Sequence, residues 1–300
     1  MEKTQAVYST KTKIIRFILW LFLAFMALLV VFPIIYIVLG SFKENKELLA
    51  GGSNIFPSKW ILTNYVEAGQ QANFATYTFN SVFLSLGVMI VSLLNATMAG
   101  YVFSRKSFRG KELLYLTFVA FMFVNVGSVS LRPLFELAVK LKMNKSLVSV
   151  ILISAGGGQA TFIFLCRGFV NSVPKELDEA AKIDGCTFFQ IYYKIILPML
   201  KPIMATIAIL SFRQGWNEYI MPLVFTMSNE AMRPLTVGVN MLKNAGDGAA
   251  AWNIMFAGAT ISIVPILIVY CCFSRFFMSG LTSGAAVSYT HLTLPTKARV

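Results

Sequence analysis

The sequence predicts an all-α membrane protein with six transmembrane helices. Of its 300 residues, 57% are hydrophobic and only 13% are charged, whereas a soluble domain carries about 25% charged residues. Uncharged apolar runs long enough to cross a bilayer recur along the chain, and such runs indicate transmembrane helices. The net charge of +13 comes from basic residues that fall largely in the short segments between these runs. That placement is typical of topology control by Lys and Arg, and we therefore expect no nucleic-acid partner.

Six segments are long and apolar enough to be spans. The first follows a polar tail, residues 1–13. The predicted spans are residues 14–40, 79–103, 113–131, 147–166, 203–225 and 252–275. The second span offers small residues for close contact between helices, namely Ser81, Ser85, Ser92, Ala96 and Gly100.

The four cysteines lie in or beside apolar runs without metal-ligand spacing. We therefore expect no metal site.

The distribution of Lys and Arg sets the expected orientation. These residues are more frequent in the segments on the side of the N-terminal tail than on the opposite side, and the richer side is normally the cytoplasm. Both termini and residues 171–202 are therefore predicted to be cytoplasmic. Residues 287–300, which contain the single histidine, His291, have the character of a cloning or assembly remnant. They enter no functional prediction.

Residues 171–202 form a polar insert between the fourth and fifth predicted spans. Pro174 suits the first turn of a helix, and Gly185 suits the left-handed residue that ends one. Thr187 and Gln190 have the spacing of a capping box, which predicts the start of a second helix. We therefore expect two short helices joined at Gly185. The acidic residues that complement the dipole of the first helix are Glu176, Asp178 and Glu179.

The first of these two helices carries small residues. Ala180, Ala181 and Gly185 would form a patch nearly free of side chains, where a partner could come close to the backbone. An insert of this composition could instead be an ordinary amphipathic surface loop. The residue pattern by itself leaves the two interpretations open.

A longer motif runs through the insert, consisting of Glu179-Ala180-Ala181, Gly185, Ile195 and Leu197-Pro198. These residue types at these spacings resemble the EAA signature of permease subunits in binding-protein-dependent ABC importers. Other segments resemble the carbohydrate-uptake branch of that family, especially its maltose-type subunit with six spans. The similarity covers residues 10–286 and departs from the pattern at Cys186, where an alanine is usual. The further matching segments are Asn80-Ser81, Ala99–Arg105, Trp216–Tyr219 with Pro222-Leu223, and Gly280–Ala285.

The resemblance implies a coupling role for the insert. In that family the EAA loop forms a coupling helix that sits in a cleft of a cytoplasmic ATPase subunit. ATP-driven closure of the ATPase dimer then turns the helix bundle from inward to outward facing. The residues that the resemblance assigns to this coupling are Glu179, Ala180, Ala181, Asp184, Gly185, Leu197 and Pro198.

The same resemblance implies the partners and the location. This chain would be the transport subunit and not an enzyme, with no catalytic residue and no bound cofactor, because it lacks a phosphate loop of its own. ATP and Mg²⁺ would be used by the partner ATPase, which is present in two copies. A second permease subunit and an extracytoplasmic solute-binding protein would complete the assembly in the bacterial inner membrane.

The fifth predicted span contains a cluster of polar and aromatic residues. Ionisable groups inside a span are costly and usually line an aqueous path or a protein interior. Sugars, in turn, need polar partners for their hydroxyl groups and apolar or aromatic walls. The same residues could instead make hydrogen bonds between helices near the external end. The candidates for a substrate path are Arg213, Gln214, Trp216, Asn217, Glu218 and Tyr219.

The leading functional hypothesis is an importer subunit that translocates a sugar or oligosaccharide handed over by a binding protein. A permease for another solute and, more remotely, an ion-coupled carrier are the alternatives. Ion-coupled carriers usually show more spans and internal repeats. A membrane-embedded enzyme is disfavoured, because the sequence shows no cluster of His, Cys and Asp with ligand or triad spacing.

Overall fold

The computed structural model of the chain describes residues 10–51, 54–124, 127–245 and 250–289. All regular secondary structure within these ranges is helical, as the apolar runs predicted. The first helices are α1 (Thr10–Gly40), α2 (Asn45–Leu49), α3 (Thr63–Gln71), α4 (Phe74–Arg105), α5 (Lys111–Phe121), α6 (Leu131–Lys140), α7 (Leu147–Gly157) and α8 (Gln159–Ser172). They are followed by α9 (Glu176–Ile183), α10 (Phe188–Ile191), α11 (Leu197–Met199), α12 (Lys201–Asn217), α13 (Ile220–Phe225), α14 (Leu235–Met241) and α15 (Trp252–Tyr289).

The chain divides into two compact units, of which the first comprises residues 1–71 and 241–263. Its long helix α1 is apolar all round and exposed from residue 14 to residue 36, a pattern that suits contact with lipid. The segment after α1 is pinned by Asn64, whose amide donates to the backbone carbonyls of Ser41 at 2.8 Å and Lys43 at 2.9 Å. Asn253 at the start of α15 donates to the side-chain oxygen of Asn64 at 2.8 Å.

The second unit comprises residues 72–240 and 264–300 and is built around α4. Helices α7, α8 and α12 pack along α4, and the small residues predicted to permit this close packing are buried. At Gly215 of α12 the approach is so close that a Cβ atom would lie 2.8 Å from the Cα of Ser85. The buried small residues are Ser81, Ser85, Ser92, Ala96 and Gly100.

The helices differ from the predicted spans in continuity. Within the described residues, Ile14–Gly40 and Phe74–Arg105 are each long and apolar enough to cross a bilayer. Two further pairs, α7 with α8 and the Phe188–Met199 segment with α12, bend by 55° and 80°, and they raise the number to four if each pair is one span. The third predicted span begins as α5, which has 11 residues and rises about 16 Å, roughly half of a bilayer core. The count of six spans stays a prediction.

The fifth predicted span, residues 203–225, is interrupted. Helix α12 ends at Asn217, and Glu218 has an extended backbone. Pro222 explains the break, because proline has no N–H to donate to the carbonyl four residues earlier and its ring clashes there. That carbonyl belongs to Glu218, and it accepts a hydrogen bond from the hydroxyl of Thr236 at 2.9 Å instead.

The helices at the two ends of the chain extend beyond the predicted boundaries. Helix α1 starts at Thr10, inside the predicted polar tail, of which residues 1–9 lie outside the described ranges. Helix α15 contains Pro265 and continues to Tyr289, well past the predicted end of the sixth span at residue 275. The suspected remnant at 287–300 lies outside the described residues from position 290 onward, and so does His291.

Candidate functional site

The polar insert folds as two short helical pieces around Gly185. Helix α9 begins at Glu176, two residues after Pro174. Val173 precedes that proline and is extended, as residues before proline usually are. Gly185 has a φ of +81°, the left-handed conformation that glycine adopts readily. The prediction that Gly185 ends the first helix is confirmed.

The second piece starts with the predicted capping box. The backbone N–H of Gln190 donates to the hydroxyl oxygen of Thr187 at 3.3 Å, and the backbone N–H of Thr187 donates to the side chain of Gln190 at 2.8 Å. After α10 the chain widens into a π-helical turn, Tyr192–Ile196. Pro198 follows in α11 and has no N–H to donate. The carbonyl that such a donor would reach in a regular helix, that of Lys194, lies inside the π-helical turn.

The exposed and buried faces of α9 differ from the predicted patch at one position. Glu179, Ala180 and Asp184 are exposed, as is Gly185. Ala181, however, is only 4% exposed and belongs to the apolar core between α4, α8 and the insert. The expectation that both alanines face a partner was wrong for Ala181, because it lies three residues from the buried Asp178, on the face of α9 that packs against the core. The other residues of the motif, Leu197 and Pro198, are half-buried and exposed.

Apolar side chains add to the exposed surface of the insert. Ile183 is 87% exposed at the end of α9, and Leu177 and Phe189 are exposed as well. Ile183 and Phe189 lie on either side of Gly185, at the end of α9 and in α10. The insert therefore presents a surface that mixes small, acidic and large apolar residues.

A buried ion pair fixes α9 to the end of α4. Asp178 accepts a hydrogen bond from the hydroxyl of Tyr101 at its Oδ1 (2.9 Å) and one from Nε of Arg105 at its Oδ2 (3.0 Å). The side chains of Arg105 and Asp178 are 6% and 7% exposed. Arg105 also donates through Nη2 to the backbone carbonyl of Val173 at 2.7 Å. The guanidinium of Arg105 thus binds both Val173, just before α9, and Asp178 in the first turn of α9.

Aromatic contacts fix the second piece of the insert to the same face of α4. The ring of Tyr101 stacks on that of Phe188, with centroids 4.7 Å apart and planes at 23°. The hydroxyl of Tyr192 lies 2.9 Å from the hydroxyl of Thr97. Since residues four apart share a helix face, Thr97, Tyr101 and Arg105 form one row on α4. We call these three residues the α4 row.

Sequence reasoning missed the α4 row and its partner. It treated Asp178 as an acid that complements the helix dipole, and it named Arg105 as the last residue of a segment that resembles the family. One signal was available, since Asp178 and Ala181 are three apart and share a face of α9. A carboxylate on the buried face of a helix needs a cationic or hydrogen-bonding partner, but the sequence could not say which one.

A cavity of about 730 Å³ lies between α6, α7 and the α12–α13 break. Gln214 and Glu218 line it from one side, four residues apart, and Ser154 of α7 lies opposite them. The amide of Gln214 donates to the backbone carbonyl of Ser154 at 2.6 Å. The hydroxyl of Ser154 is buried and has no hydrogen-bond partner among the described residues. The rest of the wall is largely apolar, which is typical of small-molecule sites.

The six predicted path residues separate into four groups. Gln214 and Glu218 line the cavity, whereas Arg213 and Asn217, also four apart, lie on the exposed side of α12. Trp216 is 5% exposed and its ring stacks on Phe212, so it packs in the core rather than offering an open platform. Tyr219 is half-buried at the break. Sequence reasoning missed Ser154, which carries no charge and sits in an apolar run.

These features together define a helical membrane permease: long apolar helices around α4, a polar insert attached to that helix and a cavity with a few polar groups at a helix break. The chain belongs to the family of binding-protein-dependent transport system inner membrane components, whose sequence profile matches residues 96–281. The matched region includes the insert, the α4 row and the cavity. The family resemblance predicted from the sequence is confirmed.

Two relatives and one solved structure illustrate the relationship. The chain is similar to the arabinooligosaccharides transport system permease protein AraQ of Halalkalibacterium halodurans, with 34% identity over 90% of this chain and 96% of that protein. It is 32% identical to the galactooligosaccharides transport system permease protein GanQ of Bacillus subtilis, over 88% of this chain and 93% of that protein. The fold matches a bacterial ABC transporter involved in the import of the acidic polysaccharide alginate, with a TM-score of 0.75, 23% identity, and coverage of 91% of this chain and 100% of that chain.

Family membership defines the general role of the chain. It is a multi-pass inner-membrane permease subunit of an ABC importer and not an enzyme. ATP is hydrolysed by separate ATPase subunits, and a binding protein delivers the solute. The predictions of a transport subunit without catalytic function and of an ATP-driven system are therefore confirmed.

Proposed function

We propose that this permease subunit imports a sugar or oligosaccharide. The observation that carries the proposal is the similarity, over nearly the whole chain, to permeases of arabinooligosaccharide and galactooligosaccharide transport systems. A cavity that combines apolar walls with an amide and a carboxylate suits a sugar, whose hydroxyl groups need hydrogen-bond partners on entry. Gln214 and Glu218 supply these groups.

The path for the solute would run through this cavity and the α12–α13 break. Arg213 and Asn217 on the exposed side of α12 would face the second permease subunit of a heterodimer, across which the path would be completed. Ionisable groups in a membrane normally face such a polar path or a protein interface rather than lipid. Trp216, buried in the core, would pack behind the residues that line the cavity, and Tyr219 would lie beside the α12–α13 break.

The insert would couple this movement to ATP hydrolysis. With six spans and both termini in the cytoplasm, residues 171–202 would face one of the two copies of a cytoplasmic ATPase, which bind ATP and Mg²⁺. Glu179, Ala180, Asp184 and Gly185 would contact the ATPase directly, and Ile183 would enter an apolar part of its cleft. Ala181 would act from the buried side by letting α9 lie close to the core. Leu197 and Pro198 would shape the bend that leads into α12.

Gly185 offers a direct experiment. A side chain at Gly185 would meet nothing within 4 Å in this chain, so a bulky residue there obstructs only a partner. Gly110 is a matched control, since its φ is also +81° and a side chain there also meets nothing within 4 Å. Both substitutions carry the same backbone strain, about 1–2 kcal/mol.

The measurement compares Gly185→Trp with Gly110→Trp in the complete transporter. We expect Gly185→Trp to abolish uptake of a labelled arabino- or galacto-oligosaccharide and to reduce ATPase copurification, while Gly110→Trp leaves both close to wild type. Equal behaviour of the two variants would contradict the coupling role. Uptake that survives ATP depletion but collapses with the ion gradient would instead indicate a secondary carrier.

A further inference from the structure

We propose that the α4 row, Thr97, Tyr101 and Arg105, positions the insert and passes its movement to α4. This inference rests on the proposed coupling role of the insert. It assigns a transmitting function to the end of α4, a helix that precedes the insert by roughly 70 residues in the chain and is joined to it only through side chains.

The first support is the number of independent contacts between the row and the insert. Arg105 and Tyr101 together occupy both carboxylate oxygens of Asp178, and Arg105 also binds the carbonyl of Val173. On the other side of Gly185, Tyr101 stacks on Phe188, and Thr97 contacts the hydroxyl of Tyr192. Both helical pieces of the insert are therefore attached to one face of one helix.

The second support is the burial of the charged contact. The side chains of Arg105 and Asp178 are only 6% and 7% exposed. Water therefore cannot replace the hydrogen bond between them unless the two residues leave the core. Separating such a pair leaves an uncompensated buried charge, which is strongly unfavourable. A displacement of α9 is therefore expected to carry α4 with it rather than to break the pair.

The third support is the contrast with the covalent route. The insert continues into α12 through a π-helical turn and an 80° bend, a connection that can absorb movement by changing its angle. Helix α4, by comparison, is continuous from Phe74 to Arg105. It meets α12 at the close approach of Ser85 and Gly215, directly beside Gln214 of the cavity. Helix α4 thus links the insert to the cavity wall without crossing a bend.

The test uses Arg105→Gln, Asp178→Asn and the double variant in the complete transporter, with solute transported per ATP hydrolysed as the readout. Each single variant is expected to lower this ratio at least about tenfold, within the usual range of coupling between sites. The double variant should recover most of it, because the two neutral amides can bond to each other. The matched control is Arg132→Gln with Glu136→Gln, an ion pair with the same 3.0 Å distance but with side chains 89% and 57% exposed, which should leave the ratio unchanged.

The outcomes separate this inference from the proposed function. If Gly185→Trp loses the ATPase but both single variants keep the wild-type ratio at normal abundance, the role of the α4 row is overturned while the docking role stands. If Gly185→Trp binds the ATPase and transports normally, the proposed coupling role of the insert itself fails. If a single variant does not accumulate in the membrane, the double variant decides: recovery of both abundance and ratio supports the inference, and recovery of abundance without the ratio overturns it.

Discussion

The two ends of α4 hold neighbouring segments in different ways. At the Arg105 end, a buried ion pair and stacked rings attach the insert through its side chains. At the Asn80 end, neutral groups attach the segment before α14 through its backbone. The amide of Asn80 donates to the carbonyls of Ala231 at 2.7 Å and Arg233 at 3.1 Å, and the backbone N–H of Leu235 donates to the hydroxyl of Ser81 at 2.8 Å.

The two ends of α4 depend on different groups in the segments that they hold, backbone groups at the Asn80 end and one side chain at the Arg105 end. Backbone carbonyls are present whatever the side chain, so the Asn80 end tolerates substitution of Ala231 or Arg233. The Arg105 end depends on one carboxylate, and losing it leaves a buried cation behind. The arrangement at the Asn80 end suits a fixed attachment. The arrangement at the Arg105 end suits a contact that must make two helices move together.

The largest expected effect is at the Arg105 end. Replacing Asp178 by alanine leaves the buried guanidinium of Arg105 without its counter-ion and removes the acceptor of Tyr101. We expect a loss of about 3–5 kcal/mol in the free energy of unfolding, measured by denaturation of the purified protein in detergent. Glu136→Ala removes the acid of an exposed pair and should cost no more than about 1 kcal/mol. Equal losses would show that the buried pair contributes little.

The Asn80 end should respond less. Asn80→Ala removes the donor of two hydrogen bonds to backbone carbonyls, with an expected cost of about 1–3 kcal/mol. Because only the attached segment is released, amide hydrogen exchange should accelerate at residues 230–235 and not in the insert. Asn95→Ala, on an exposed position of the same helix, is the control and should leave exchange unchanged. Faster exchange in the insert would contradict the separation of the two ends.

The smallest expected effect concerns the contact that Thr97 of the α4 row makes with Tyr192. Tyr192→Phe keeps the ring and removes the hydroxyl that lies 2.9 Å from the hydroxyl of Thr97. We expect a loss of about 1 kcal/mol in the free energy of unfolding. The neighbouring Tyr193 is 43% exposed, so Tyr193→Phe should be neutral. If the two variants lose the same stability, the hydroxyl contact does not contribute.

Local signals in the sequence predicted the insert well. Gly185 and the pair Thr187–Gln190 specify their own backbone, since a left-handed residue and a capping box depend only on neighbours in the chain. Pro222 explains the break at Glu218, but a proline alone does not predict one, since Pro33 and Pro265 lie inside the continuous helices α1 and α15. Hydrophobicity indicates membrane location, but it does not report whether a helix is interrupted.

Contacts between distant segments could not be predicted in the same way. Helical spacing separates Gln214 and Glu218 from Arg213 and Asn217, but the position of α6 and α7 decides which pair faces the cavity. The same limit applies to Ala181 and Asp178, whose inward orientation depends on α4. The resemblance marked Arg105 as the end of a matching segment, and only the packing shows that it is buried against an acid.

Photo-cross-linking from the insert tests the central claim most directly. Ile183→Cys, in a chain whose native cysteines are replaced, would carry a benzophenone label at an 87% exposed position, and Leu113→Cys on α5, 74% exposed, is the control. In membranes that contain the complete transporter, the label at position 183 should capture the ATPase subunit and the label at position 113 should not. Efficient labelling at position 183 without any ATPase adduct would contradict the docking of the insert.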